Sequence, residues 1–426
     1  MSEQPLRVGF AGMSHLGLVS AAGAAEKGFH SVGYDPDPAL VAALARGDLP
    51  VVEPDLDALV EKNGERLLFT DDVTALGDCD LVFVARDVPT DDAGQSDLSP
   101  IRALVDELSG ALSDTAILTL LCQVPPGFTR SVDRPPETLC YVVETLIFGQ
   151  AVHRTLQPER FIVGLHEGDA SMPAALSTYL GAYGCPILPM RYESAELAKI
   201  SINLFLTASV TTTNTIAEIC ERVGAEWSEI APALRLDRRI GPHAYLNPGL
   251  GISGGNLERD MATAIALADR HGTDARAIES YVANSTYRKG WPLRTLAQTV
   301  LGKRENARIA VLGLAYKADS DSVKNSPALE LLDSLRGVEV AAYDPVVSVD
   351  RAWHDGLAPM ATMEAALAGA DAVVIMTPWD EFRSLTPDIL VREMRGDVII
   401  DPYRLLDGKA VSERGLRYHG LGSSPR

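Results

Sequence analysis

Three clusters in this chain have residue types and spacing suited to chemistry. The first is Gly12-Met13-Ser14-His15-Leu16-Gly17, which closes an apolar run and opens a helical pattern, with Asp35 at the end of the next apolar run. This is close to the dinucleotide fingerprint G-x-G-x-x-G with a downstream acid for the ribose hydroxyls. Gly12 makes the tight turn and Gly17 lets helix and strand pack. Ser14 replaces the glycine that normally faces the pyrophosphate, and it is small enough for the fit to survive. Asp35 selects NAD over NADP, because a 2′-phosphate beside a carboxylate is repelled. The competing reading is a Rossmann-like domain that no longer binds a cofactor. The second cluster is Lys199 and Asn203, four apart on a helix face that is otherwise apolar at Ile200 and Leu204. Such a pair is costly without partners, although a lone Lys most often sits on a helix surface. The third is the glycine-rich stretch from Asn247 to Asp260, which carries Asn256. A carboxamide is not a nucleophile.

The elements that must hold these residues can be read from hydrophobic patterning. Leu6 to Gly12 is apolar, Leu16 to Lys27 is helical in pattern, and a strand ends at Tyr34-Asp35-Pro36. Arg308 to Gly313, Pro327 to Leu335 and Tyr343-Asp344-Pro345 repeat that order near the other end. Such a pseudo-repeat implies two Rossmann-like domains. Further buried parallel strands are expected at Asp80 to Ala85, Thr115 to Leu121, Leu139 to Val143, Phe161 to Val163, Ala370 to Met376 and Asp397 to Asp401. Tyr192 to Val223 has no Pro or Gly and reads as one long helix, and a second helical block runs from Asp260 to about Thr286. The fold class is therefore α/β, with two Rossmann-like domains joined by a long central helix and a helical region. The expected division is 1–188, 189–300 and 301–426.

Bulk properties remove other classes. The chain has 426 residues and a net charge of −20, which argues against nucleic acid or an anionic membrane as partner. The five cysteines are scattered without CxxC spacing, and the eight histidines show no metal-binding pattern. There is no P-loop and no G-x-S-x-G elbow. No basic and apolar leader and no apolar run of about 18 residues is seen, so the cytoplasm is the expected compartment.

The stretch Pro248-Gly249-Leu250-Gly251-Ile252-Ser253-Gly254-Gly255-Asn256 resembles the catalytic loop P-G-x-G-F-G-G-S-C of the UDP-glucose/GDP-mannose dehydrogenase family. Asn256 stands where that family keeps its nucleophilic Cys. The resemblance extends over essentially the whole chain. Asp87-Val88-Pro89 corresponds to G-T-P, and Cys122-Gln123-Val124-Pro125-Pro126-Gly127 to S-T-V-x-P-G. Val143-Glu144-Thr145-Leu146-Ile147-Phe148-Gly149 corresponds to P-E-F-L-x-E-G, with Phe148 in place of the second carboxylate. Glu196, Lys199 and Asn203 match E-x-x-K-x-x-x-N, and Arg239-Ile240-Gly241 matches R-I-G. Gly313-Leu314-Ala315-Tyr316-Lys317 with Lys324 matches G-L-A-[FY]-K…R.

The resemblance implies a role for each of these residues. Lys199, Asn203, Asp260, Glu144 and position 256 would be catalytic, with Lys199 paired to Asp260. Gly12, Ser14, His15, Leu16, Gly17, Asp35, Gln123 and Lys324 would face NAD. Glu144, Lys199, Asn203, Arg239, Tyr245, Gly251, Gly254, Tyr316 and Lys317 would face a UDP-sugar, with Arg239 reaching across a homodimer built on the long helix. No metal is expected. Glu144 as an ordinary salt-bridged carboxylate, and Cys122 as an inert buried thiol, are the alternatives at those positions. The expected function is an NAD-dependent oxidoreductase on a nucleotide-sugar, two-electron or redox-neutral because no thioester can form. The alternative is a catalytically silent nucleotide-sugar-binding paralogue that regulates or partners an active dehydrogenase.

Overall fold

A computed structural model describes residues 6–91 and 94–424. The chain divides into two compact units, 1–91 with 96–202 and 92–95 with 203–426, and the cut falls inside the long helix. That helix runs Tyr192–Val223, where the sequence pattern places it.

The first unit is built on an eight-stranded sheet: β1 (Arg7–Ala11), β2 (His30–Tyr34), β3 (Leu67–Thr70), β4 (Leu81–Val84), β5 (Ile117–Leu120), β6 (Leu139–Val142), β7 (Phe161–Leu165) and β8 (Ile187–Arg191). Their order is β3-β2-β1-β4-β5-β6-β7-β8, and only β6 and β7 pair antiparallel. The chain reverses direction across the sheet between β1 and β4, where open α/β sheets bind ligands at the carboxyl ends of the strands. Alternation along each strand separates two cores. Val8, Phe10, Leu81 and Phe83 face one side, and Ala11, Val82 and Val84 the other. The Phe10 and Phe83 rings stack at 5.1 Å. The helix His15–Glu26 is buried on nearly every side and is made mostly of Ala, Gly, Leu and Val, as a helix wedged into a core must be.

The second unit repeats the plan with six parallel strands: β9 (Arg308–Leu312), β10 (Glu339–Tyr343), β11 (Leu357–Pro359), β12 (Ala372–Ile375), β13 (Val398–Asp401) and β14 (Arg417–Gly420), in the order β11-β10-β9-β12-β13-β14. Ile309, Val311 and Val340 face one core and Ala310, Leu312 and Ala341 the other. The expected helical block from Asp260 to Thr286 is two helices, Asn256–His271 and Arg276–Lys289. Gly272 ends the first in a left-handed conformation, a backbone state that glycine adopts without strain. The guanidinium of Arg288 is almost fully buried between Glu218 and Glu221 of the long helix, 3.3 Å from each, and so ties the second helix to it. Among the described residues no helix is long and apolar enough to cross a membrane.

Candidate active site

In the first unit the chain leaves β1 through Gly12, whose φ is +94° and whose N–H donates to the Tyr34 carbonyl at 2.8 Å. A Cβ on Gly17 would lie 1.8 Å from the Gly12 oxygen, so only glycine lets this helix approach the turn. The nearly buried Asp35 accepts the Met13 N–H at 2.8 Å and the Asp37 N–H at 3.0 Å. It braces the turn with two bonds and keeps acceptor capacity for a ribose, since a carboxylate offers about four lone-pair sites. Glycine turn, helix N-terminus and Asp35 together fit a dinucleotide.

Ser14 does not cap its helix. Its hydroxyl accepts the Asp87 N–H at 2.9 Å and lies 3.4 Å from the Ala85 carbonyl. The Asp87 carboxylate in turn stands 3.5 Å from the Leu16 N–H. His15 is buried with Nε2 3.0 Å from Glu53, which also accepts the Gly149 and Ala151 N–H groups at 3.0 and 2.7 Å. The Phe148 ring stacks on the His15 imidazole at 4.2 Å. Sequence reasoning missed Glu53, which lies outside the glycine fingerprint and is brought to it only by the fold, whereas Asp87 was marked as a departure from G-T-P without its contact to the helix start.

Gln123 follows β5, and Glu144 follows β6, so both lie at the same carboxyl edge of the parallel strands. Glu144 accepts the Leu146 N–H and lies 3.7 Å from the Lys199 ammonium, with both side chains largely buried. Within its own unit Lys199 therefore has Glu144 as an ion-pair partner. Glu196, one turn earlier on the helix, is fully buried and accepts Gly127 N–H, Thr129 N–H and the Thr129 hydroxyl. Burial pushes its carboxyl up despite those bonds. Its work is to hold the turn that carries Gln123. Cys122 in that turn is completely buried, and desolvation pushes its thiol up to about 12. It is not a nucleophile at neutral pH.

In the second unit Asn256 is the first residue of its helix, exposed, with Gly255 as N-cap. Asp260 is one turn further on the same face and is almost fully buried. It accepts the Asn203 amide at 2.5 Å and lies 3.4 Å from Arg259. Asn203, Asp260 and Asn256 are therefore gathered around one helix start. The glycine loop before it is held by Glu258, which accepts the Gly255 N–H at 3.1 Å and the Asn325 amide at 2.8 Å and pairs with Lys289 at 3.3 Å. Sequence reasoning missed Glu258, although its place three residues after the helix cap is a signal that could have found it. Gly254 has φ +92°, and a Cβ there would meet the Tyr316 ring at 2.3 Å, so Tyr316 packs directly against the loop. The stem of Lys324 covers Gly255, its Nζ 3.8 Å from that Cβ position. The Lys317 ammonium stands 5.7 Å over the Tyr316 ring. Gly251 lies close to Ser285, whose hydroxyl accepts the Ile252 N–H at 2.8 Å. Arg239 is exposed and doubly bonded to Asp237, and Tyr245 is half exposed. Among the described residues no cluster of acidic, His and Cys side chains suits a metal ion.

This arrangement has counterparts. Residues 6–179 match the NAD binding domain of the UDP-glucose/GDP-mannose dehydrogenase family, residues 193–285 its central domain and residues 310–408 its UDP binding domain. The chain is 32% identical to a UDP-glucose 6-dehydrogenase of Rhizobium meliloti (strain 1021), covering 98% of this chain and 99% of that protein. It is 29% identical to UDP-glucose 6-dehydrogenase TuaD of Bacillus subtilis (strain 168), covering 98% and 93%. A UDP-glucose dehydrogenase from the hyperthermophilic archaeon Pyrobaculum islandicum superposes with a TM-score of 0.85 at 26% identity, over 99% of each chain.

Proposed function

The chain belongs to the UDP-glucose/GDP-mannose dehydrogenase family and is an NAD-dependent oxidoreductase acting on a CH–OH group, and from that premise we propose that it acts on a UDP-sugar without a thioester intermediate. One observation carries the reading. The helix start that would present a nucleophile carries the carboxamide of Asn256, and the other candidate thiol, Cys122, is buried and protonated.

Bound NAD supplies a hydride acceptor. Lys199, oriented by Glu144, either takes the hydroxyl proton as a neutral amine or stabilises the alkoxide as an ammonium. Asn203 and Asp260 hold the reacting hydroxyl, and Lys317 and Tyr316 serve the nucleotide-sugar. Loss of one hydride and one proton leaves a carbonyl. A thiol at 256 would add to it and carry it on to a second oxidation. A carboxamide leaves the carbonyl to be released or, where the reacting carbon bears a secondary alcohol, to be reduced again on its other face in a redox-neutral change. Incubation of a panel of UDP-sugars with NAD tests this. One NADH per sugar, or none with an epimerised product, is expected; two NADH with uronate at an unimpaired rate overturns it.

A second reading, a nucleotide-sugar-binding paralogue without turnover, draws on the departures at Ser14, Asp87, Gln123, Phe148 and Asn256. Thermal stabilisation by UDP-sugars but never by NAD supports it, and NAD carried through purification rejects it. The three-part division 1–188, 189–300 and 301–426 and a homodimer on the long helix belong to the main proposal. Phe205, Ile219 and Val223 of that helix are exposed apolar side chains, which supports a covered face. Sedimentation equilibrium tests it, with a monomer at micromolar concentration as the contrary result.

A further inference from the structure

We infer that the Asp87 carboxylate is an internal anion that competes with the diphosphate of NAD for the start of the first helix, and thereby sets a weak affinity for the cofactor. This holds whether the enzyme removes two electrons, four or none. A helix N-terminus offers free N–H groups and roughly half a positive charge, and a dinucleotide of this fold rests its diphosphate there. In this chain Asp87 Oδ2 already faces the Leu16 N–H at 3.5 Å.

The placement is constructed from two departures acting together. The Ser14 hydroxyl stands where the fingerprint has a bare glycine. It binds the backbone N–H of Asp87 at 2.9 Å and reaches toward Ala85 at 3.4 Å, which fixes the loop after β4 beside the helix start. Asp87, in the position of a glycine in the related loop, then projects its charge toward the amide. The helix has no cap from Ser14 and none of its first-turn residues is acidic, so Asp87 is the carboxylate that addresses these amides. Because Asp87 is exposed, its repulsion of a diphosphate is partly screened. An effect on the order of tenfold in affinity is therefore expected rather than exclusion.

The test is calorimetric titration of the whole chain and of Asp87→Asn and Asp87→Ala with NAD, ADP-ribose and adenosine, at low and high ionic strength. Both variants are expected to bind NAD and ADP-ribose about tenfold more tightly, with adenosine unmoved, and the advantage should shrink as salt screens the charge. A gain in affinity cannot arise from misfolding. Unchanged or weaker binding of NAD and ADP-ribose by both variants overturns the inference, as does an equal gain for adenosine.

Discussion

Asn256 opens its helix, and that position favours a thiolate. The N-terminal partial charge lowers the pKa of a Cys placed there below the ordinary value of about 8.5. The native thiols are the reverse. Burial pushes Cys122 and Cys140 up to about 12 and Cys79 to about 11. Asn256→Cys is expected to react with iodoacetamide at pH 7 at least about tenfold faster than any native thiol. In the presence of UDP-sugar and NAD it is expected to release a second NADH per sugar. Alkylation no faster than that of the native cysteines would remove the electrostatic argument, and fast alkylation without a second NADH would show that a thiol at 256 does not take up the carbonyl. The proposal that Asn256 stands in place of a thiol rests on its neighbours, which keep the spacing of the motif. The contact of Lys199 with Glu144 and that of Asn203 with Asp260 were not legible, because each joins residues more than fifty positions apart and only the fold brings them together.

The strands read from the sequence are the interior ones. The four not anticipated, β3, β8, β11 and β14, are the four edges of the two sheets. An interior parallel strand is covered on both faces and paired on both sides, so it becomes a continuous apolar run. An edge strand tolerates Pro189 in β8 or the polar Arg417 and His419 in β14. What fixes the second sheet between its strands is a polar clasp. Asp371, just before β12, accepts the Arg308 N–H at the start of β9 and the guanidinium groups of Arg395 and Arg304. Burial alone would raise its carboxyl, but those bonds outweigh it and hold it at about 2. A carboxyl lowered by folding contributes stability above its unfolded value of about 3.9 and loses it as pH falls toward the folded value. Asp371→Asn is therefore expected to cost about 1–3 kcal/mol in urea unfolding at pH 7. The deficit should shrink below about pH 4. A deficit that is constant between pH 7 and pH 3 would show that shape, not charge, is what Asp371 provides.

At the scale of the whole chain, the same order of strands is used twice, and the same Tyr-Asp-Pro turn ends β2 and β10. The sequence shows the repeat but not why one copy serves a dinucleotide and the other does not. The difference lies in how fully each carboxylate is used. Asp344 accepts five N–H groups, those of Leu314, Ala315, Val346, Val347 and the Trp379 indole. Asp35 accepts two, those of Met13 and Asp37. With about four lone-pair sites on a carboxylate, Asp344 is saturated by its own domain and Asp35 has room for ribose hydroxyls. Exchanging each for its amide separates structure from binding. Asp344→Asn faces N–H donors with an NH2 group, and is expected to cost about 2–4 kcal/mol of stability while leaving the ratio of NAD to NADP affinity unchanged. Asp35→Asn is expected to lose less stability, to weaken NAD about tenfold or more and to narrow the preference over NADP, because the repelling charge is gone. Unfolding curves and titrations with both dinucleotides on the two variants decide it. An altered NAD to NADP ratio in Asp344→Asn, or an unaltered one in Asp35→Asn, would mean that bond saturation is not what divides the labour between the two sheets.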